Sequence, residues 1–84
     1  MNFVKVSVTF QASEEDKSQA EFELVELLVG VGTKVIEHEV LATAETAKAT
    51  IEIESPVAGE IHEIFLETGK TYFHGEVLCT IETK

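Results

Sequence analysis

Basic residues are scarce in this 84-residue sequence: arginine is absent, and 6 lysines stand against 16 acidic residues. The formal net charge of −10 repels the phosphates of nucleic acids and the headgroups of anionic lipids. Long apolar runs are also missing, since none approaches the roughly 20 residues that span a bilayer. No basic segment followed by an apolar stretch marks a secretory signal. We therefore expect a cytoplasmic protein that binds neither nucleic acid nor membrane.

Side chains that carry catalytic or metal chemistry are equally few. Cys79 is the single cysteine, which excludes an internal disulfide, and its place in the apolar run 77–81 predicts a small buried thiol. The three histidines, His38, His62 and His74, are too scattered to form a zinc pattern without a cysteine pair. The glycines lack the lysine and the following helix of a phosphate-binding loop. We therefore expect no catalytic site and no metal site, and a protein that is not an enzyme.

What the sequence does contain is an alternation of apolar and polar residues. Residues 4–10 alternate in this way, which predicts a half-buried first strand. Residues 11–20 are polar, and the apolar positions that follow, among them Leu24, Leu27 and Leu28, could also line a helix. A helix is therefore a competing interpretation for this part of the chain.

An internal repeat favours a strand there instead. A shift of roughly 37 residues places nine residues over nine identical ones, a period typical of repeated structural units. The pairs are Glu23/Glu60, Glu26/Glu63, Gly32/Gly69, Glu39/Glu76, Val40/Val77, Leu41/Leu78, Thr43/Thr80, Glu45/Glu82 and Thr46/Thr83. Residues 61–66 are strand-like, and Gly69 and Tyr72 are unlike a helix interior. Residues 22–29 are therefore predicted to be strand as well.

The repeat also predicts the architecture. Two similar β-halves cannot each bury an apolar face alone, but packed face to face about a pseudo-twofold axis they share one core. The predicted fold is all-β, a flattened β-barrel or sandwich of two antiparallel sheets. We expect one domain: a first strand and variable loop (1–20), a first half (21–46), a hairpin and crossover (47–58), and a second half (59–84).

Lys48 lies at the junction of the two halves. It belongs to the stretch Glu45-Thr46-Ala47-Lys48-Ala49-Thr50, which strand-like segments flank on both sides, and this pattern predicts a tight hairpin. A lysine stem is long and flexible, and a hairpin tip exposes its amine to water and to other proteins. After the hairpin, Pro56 and Gly59 break the alternation, which indicates the crossover into the second half.

The residues around Lys48 resemble a known family. The glutamate-threonine-x-lysine-alanine stretch, followed at a fixed interval by Ser55-Pro56-Val57-Ala58-Gly59, resembles the lipoyl domain of 2-oxo acid dehydrogenase complex acyltransferases, within the biotinyl/lipoyl-attachment family. The resemblance covers about residues 22–82. It implies that Lys48 bears lipoic acid through an amide, as a swinging arm that carries acyl groups and reducing equivalents between active sites. The implied partners are a lipoate ligase or lipoyl transferase, a 2-oxo acid decarboxylase and dihydrolipoamide dehydrogenase.

The same resemblance assigns two groups of residues near the arm. The residues expected to form the hairpin context and to be recognised by the ligase are Glu45, Thr46, Ala47, Ala49 and Gly59. A loop that lies near the lysine hairpin and helps to choose partners is expected to comprise Val29, Gly30, Val31, Gly32 and Thr33. The chain departs from the family at Ala47 and at Thr33, where aspartate is usual or frequent.

Two alternatives stay open at this point. A biotin carrier domain uses an analogous hairpin lysine normally flanked by methionines, whereas Ala47 and Ala49 flank Lys48, and Met1 is the single methionine. An unmodified interaction domain would keep the fold, while its altered tip would no longer be a ligase substrate. The sequence favours the lipoyl carrier over both.

Overall fold

The computed structural model describes residues 2–9, 20–47 and 49–83, and every regular element in these residues is a strand. The strands are β1 (Asn2–Ser7), β2 (Glu21–Leu27), β3 (Lys34–Val35), β4 (Val40–Glu45), β5 (Thr50–Glu54), β6 (Gly59–Ile64), β7 (Thr71–Phe73) and β8 (Val77–Thr83). The predicted all-β class is confirmed, and β2 confirms the strand interpretation against the helix. Most of the predicted variable loop, residues 10–19, lies outside the described residues.

The strands form two four-stranded antiparallel sheets. Sheet 1 has the order β1-β8-β6-β3, and sheet 2 has the order β5-β4-β2-β7. Most strands turn alternate side chains toward the opposite sheet; β2, for example, buries Phe22 and Leu24 and exposes Glu21 and Glu23. This arrangement confirms the predicted flattened sandwich.

The core lies between the two sheets. Its buried apolar residues are Val6, Val8, Phe22, Leu24, Val35, Leu41, Ala42, Ala44, Ile53, Ile61, Leu66, Leu78, Cys79 and Ile81. Cys79 is fully buried, as predicted, and this burial raises the pKa of its thiol from 9.0 to about 11. A thiol that stays protonated is a poor nucleophile and metal ligand, so Cys79 serves the core.

The predicted repeat is present in the hydrogen bonds of the backbone. The Gly32 N–H donates to the Ile61 carbonyl at 2.8 Å, and the Gly69 N–H donates to the Leu24 carbonyl at the same distance. Each bond becomes the other when its residues are exchanged between the halves by 37 positions. The β2–β4 and β6–β8 ladders also carry register shifts at equivalent places, 24–26 and 61–63. The two halves therefore share one backbone course, related by the pseudo-twofold axis.

The turns of the two halves match in backbone conformation as well. Gly32 and Gly69 both have positive φ, at 92° and 83°, and so do His38 and Gly75, at 72° and 93°. A left-handed φ is favourable for glycine and unusual for histidine. The repeat therefore imposes on His38 a conformation that its counterpart Gly75 adopts without strain.

Candidate cofactor-attachment site

The predicted lysine hairpin is the connection between β4 and β5. In its ladder Ala44 pairs with Ile51 and Glu45 with Thr50, so the pairing continues to the last residue before the tip. Ala44 is buried and Glu45 is exposed, which fixes the hairpin on the core by one face. The tight hairpin predicted from the flanking strands is therefore present. Lys48 itself lies outside the described residues, and its neighbours Ala47 and Ala49 are both exposed.

The tip is closed by three hydrogen bonds between Thr46 and Ala49. The Thr46 N–H donates to the Ala49 carbonyl at 2.8 Å. The Thr46 hydroxyl donates to the same carbonyl at 3.0 Å and accepts from the Ala49 N–H at 3.1 Å. The Thr46 side chain thus links the two residues that flank Ala47 and Lys48 in the sequence.

The backbone at Ala47 suits the length of the hairpin loop. Four residues, 46–49, lie between the paired residues Glu45 and Thr50, and loops of this length are most often built around a type I turn, in which φ of the first central residue is negative. Among the described residues other than glycine, positive φ occurs at His38, so φ of Ala47 is negative. Ala47 therefore has the sign of φ that such a loop ordinarily requires.

An open cleft borders the tip on the outer face of sheet 2. Among the described residues it is lined by Glu21, Phe22, Glu23, Glu45, Thr46, Ala47 and Thr71. Glu23 lies directly opposite Glu45 on β4, and Thr71 on β7 lies opposite Glu23. Glu21 is two residues from Glu23 and shares its face. Three carboxylates therefore give the surface beside the lysine hairpin a negative potential.

The loop of residues 29–33 is not beside the hairpin, and that expectation is wrong. Because β2 and β4 are antiparallel, Glu23 pairs with Glu45 near the tip, whereas Leu27 pairs with Ala42 farther away. The loop follows Leu27, and Gly32 bonds to Ile61 of sheet 1. The start of β2, not its end, borders the hairpin. The role of this loop in partner choice stays a prediction.

Gly59 also lies away from the tip, at the start of β6 in sheet 1. It pairs with Val35, and a Cβ at this position would collide with the Glu82 carbonyl oxygen and lie 2.6 Å from the Ile81 Cγ2 atom. A side chain would therefore force β6 and β8 apart. The geometry gives Gly59 a packing role, and its predicted part in ligase recognition stays a prediction.

The sequence interpretation missed the cleft residues on β2 and β7, namely Glu21, Phe22, Glu23 and Thr71. The register that brings Glu23 opposite Glu45 joins strands that are not adjacent in sequence, and no pattern along the chain reports it. Among the described residues, no three potential metal ligands cluster. The described part of the chain also contains no helix long and apolar enough to cross a membrane.

Comparison with known proteins now gives the family. The biotin/lipoyl family, described as "Biotin-requiring enzyme", matches residues 8–81. The chain belongs to this family. It is 46% identical over 65 residues to the lipoamide acyltransferase component of the branched-chain alpha-keto acid dehydrogenase complex of Pseudomonas aeruginosa, covering 77% of this chain and 15% of that protein. It is 36% identical over 62 residues to the dihydrolipoyllysine-residue acetyltransferase component of the pyruvate dehydrogenase complex of Staphylococcus aureus, covering 74% and 14%.

A solved structure confirms the fold of the family. The lipoyl domain of the 2-oxoglutarate dehydrogenase complex from Azotobacter vinelandii superimposes with a TM-score of 0.70 at 23% identity, covering 93% of this chain and 96% of that one. The predicted resemblance to lipoyl domains is confirmed, as is the prediction of a non-catalytic carrier domain. The chain spans about 15% of the length of the acyltransferases that it matches.

Proposed function

We propose that the chain carries lipoate on Lys48, in amide linkage, and serves a 2-oxo acid dehydrogenase complex as its mobile acyl carrier. The observation that carries this proposal is the closed β4–β5 hairpin, with Lys48 between two exposed alanines. The residues present fit the group, because Ala47 and Ala49 add only methyl groups beside the lysine and leave it open to a ligase. When bound, lipoate would supply a disulfide ring that accepts an acyl group together with two electrons.

The chain's own contribution is to hold the attachment point rigidly while leaving the arm free. The β4–β5 ladder and the buried Ala44 fix the hairpin on the core, and an arm tethered to such a base meets each active site at high effective concentration. Tethering replaces diffusion of a free intermediate. The domain therefore moves the acyl group, and other proteins transform it.

Lipoate is favoured over biotin by two observations. The relatives are named for lipoamide and for a dihydrolipoyllysine residue, and alanines stand where a biotin carrier normally has methionines. The partners that follow are a lipoate ligase or lipoyl transferase, a 2-oxo acid decarboxylase and dihydrolipoamide dehydrogenase. The bacterial source of the relatives is compatible with the cytoplasm as the location.

Intact-mass measurement tests the proposal. After incubation with lipoate, ATP and a lipoate ligase, we expect the wild-type chain to gain the mass of one lipoyl group. Lys48→Arg should abolish the gain, and Lys34→Arg, at an exposed lysine of β3, should leave it intact. A parallel reaction with biotin and a biotin ligase should give no gain.

Three outcomes would contradict the proposal. An unmodified wild-type chain, beside a control lipoyl domain that the same ligase modifies fully, would favour the interaction-domain alternative. A gain that survives Lys48→Arg would place the modification on another lysine. Efficient biotinylation without lipoylation would favour the biotin carrier.

A further inference from the structure

We infer that Thr46 is a positioning residue for modification, because its hydroxyl holds the hairpin tip in the shape that the ligase binds. This inference rests on the proposed attachment at Lys48 and adds the group that presents it. The hydroxyl acts through the backbone of Ala49. It does not need to touch the ligase or the cofactor.

The hydrogen bonds at the tip carry the inference. In a β-turn the N–H of the fourth residue ordinarily closes onto the carbonyl of the first. Here the N–H of the fourth residue, Ala49, donates to the Thr46 hydroxyl at 3.1 Å, and that hydroxyl donates in turn to the Ala49 carbonyl at 3.0 Å. One side chain thus engages both backbone polar groups of Ala49.

The side chain of Ala47 explains why the Thr46 hydroxyl matters. The Ala47 methyl group offers no hydrogen bond, unlike the aspartate or asparagine side chains that commonly stabilise turns. Threonine at the first turn position is therefore the polar side chain that closes the tip.

The other half of the molecule contains a matched contact. Thr83 is the counterpart of Thr46 in the repeat, and its hydroxyl donates to the Asn2 carbonyl at 3.4 Å, across the ends of β8 and β1. This hydroxyl links two separate strands and closes no turn. Thr83 is therefore a control that shares the chemistry of Thr46 but not its place beside Lys48.

The expected change in the kinetics depends on whether the tip is ordered before the ligase binds. A tip without the hydroxyl samples other conformations and must be ordered on binding the ligase, which weakens binding of ground state and transition state alike. We therefore expect the KM for the domain to rise while kcat stays within about twofold. The rise should be about three- to tenfold, the factor that corresponds to one net hydrogen bond.

The experiment compares three variants as substrates of a lipoate ligase, with product measured by intact mass. Thr46→Val keeps the β-branched shape and removes the hydroxyl, so we expect the higher KM. Thr46→Ser keeps the hydroxyl and should restore the wild-type KM to within about twofold. Thr83→Val should behave as the wild type. In the same samples, NMR should show Ala49 amide exchange faster by about three- to tenfold in Thr46→Val alone.

The possible failures are distinguishable. Wild-type protein that the active ligase does not modify would overturn the proposed function, and the inference with it. Wild-type protein that is modified, with Thr46→Val modified at the same KM, would overturn the inference alone. Equal losses in Thr46→Val and Thr83→Val, or no rescue by Thr46→Ser, would show a general effect on folding and would also overturn it.

Discussion

Two clefts occupy equivalent places in the two halves of this molecule but differ in charge. One borders the hairpin tip in sheet 2, and the other borders the end of β8 in sheet 1. Their equivalent residues are Glu21/Ala58, Glu23/Glu60, Glu45/Glu82 and Thr71/Lys34. The hairpin cleft thus has one more carboxylate, from Glu21, and lacks the ammonium that Lys34 places opposite Glu60 in the other.

The difference shows which features the fold requires and which it leaves free. Both clefts form on the same backbone, and the differing side chains are exposed, so packing does not dictate the charge at either place. Like charges directly opposite on neighbouring strands destabilise a sheet, yet sheet 2 keeps Glu23 opposite Glu45 without a lysine across β7. The charge of the hairpin cleft is therefore not set by the stability of the sheet.

The largest expected effect is a loss of stability on substitution of Phe22, a core residue of sheet 2 whose counterpart in sheet 1 is Gly59. Phe22 is 1% exposed and its ring lies 5.9 Å from that of Tyr72, whereas the equivalent strand pair in sheet 1 is Gly59 and Val35. Phe22→Ala should lower the free energy of unfolding by about 3–5 kcal/mol. Urea unfolding followed by circular dichroism measures this loss, and a loss below about 1 kcal/mol would mean that the core refills around the cavity.

The second expected effect is a loss of stability at high pH. It concerns Cys79, whose counterpart in the repeat is Ala42; both residues are buried. The pKa of the Cys79 thiol is 9.0 ordinarily and about 11 in the folded chain, so the unfolded chain loses this proton first. Below pH 9 the thiol contributes fully to stability; between pH 9 and about 11 the free energy of unfolding should fall by about 2–3 kcal/mol.

The control for this pH effect is Cys79→Ala, which gives β8 the residue of its counterpart in β4. It keeps every other ionisable side chain, and denaturant unfolding at pH 8.5 and at pH 11 should show a smaller fall than in the wild type, by about the same 2–3 kcal/mol. Parallel pH curves for the two proteins would contradict the assignment of the fall to this thiol.

The smallest expected effect is on the rate of modification, when the charged residues of the two clefts are exchanged. Thr71→Lys gives the hairpin cleft the ammonium of its counterpart, and we expect modification by the ligase at low salt to slow by a factor of about 2 to 5. The effect should vanish near 1 M salt, where the Debye length is about 3 Å. The mirror variant Lys34→Thr should leave the rate unchanged and alter stability by less than about 1 kcal/mol. Slowing that persists at high salt would indicate steric blockage instead of electrostatics.

Much of the fold could be predicted because its signals lie along the chain itself. The alternation in β1 and β5 requires only neighbouring residues, and the repeat carries the strand assignment from the second half to β2. The repeat even aligns His38 with Gly75, which is how an unusual turn conformation could have been found. The hairpin around Lys48 was predictable for the same reason, since its two strands are adjacent in sequence.

The parts that could not be predicted depend on contacts between distant strands. The position of the 29–33 loop depends on the direction of β2 along β4, which alternation does not report. The packing of Gly59 against Glu82 depends on how closely β6 approaches β8. The hydrogen bonds of Thr46 depend on turn geometry at single-residue precision.

The contact between Asn2 and Thr83 has a consequence for stoichiometry. The pseudo-twofold axis relates the closed turn at Thr46 to a place where two separate strand ends meet. A scaffold of two equal halves therefore offers one tip and not two. Under the proposed function each domain would hold a single arm. The number of acyl groups that an assembly carries would therefore increase with the number of such domains and not with the size of any one domain.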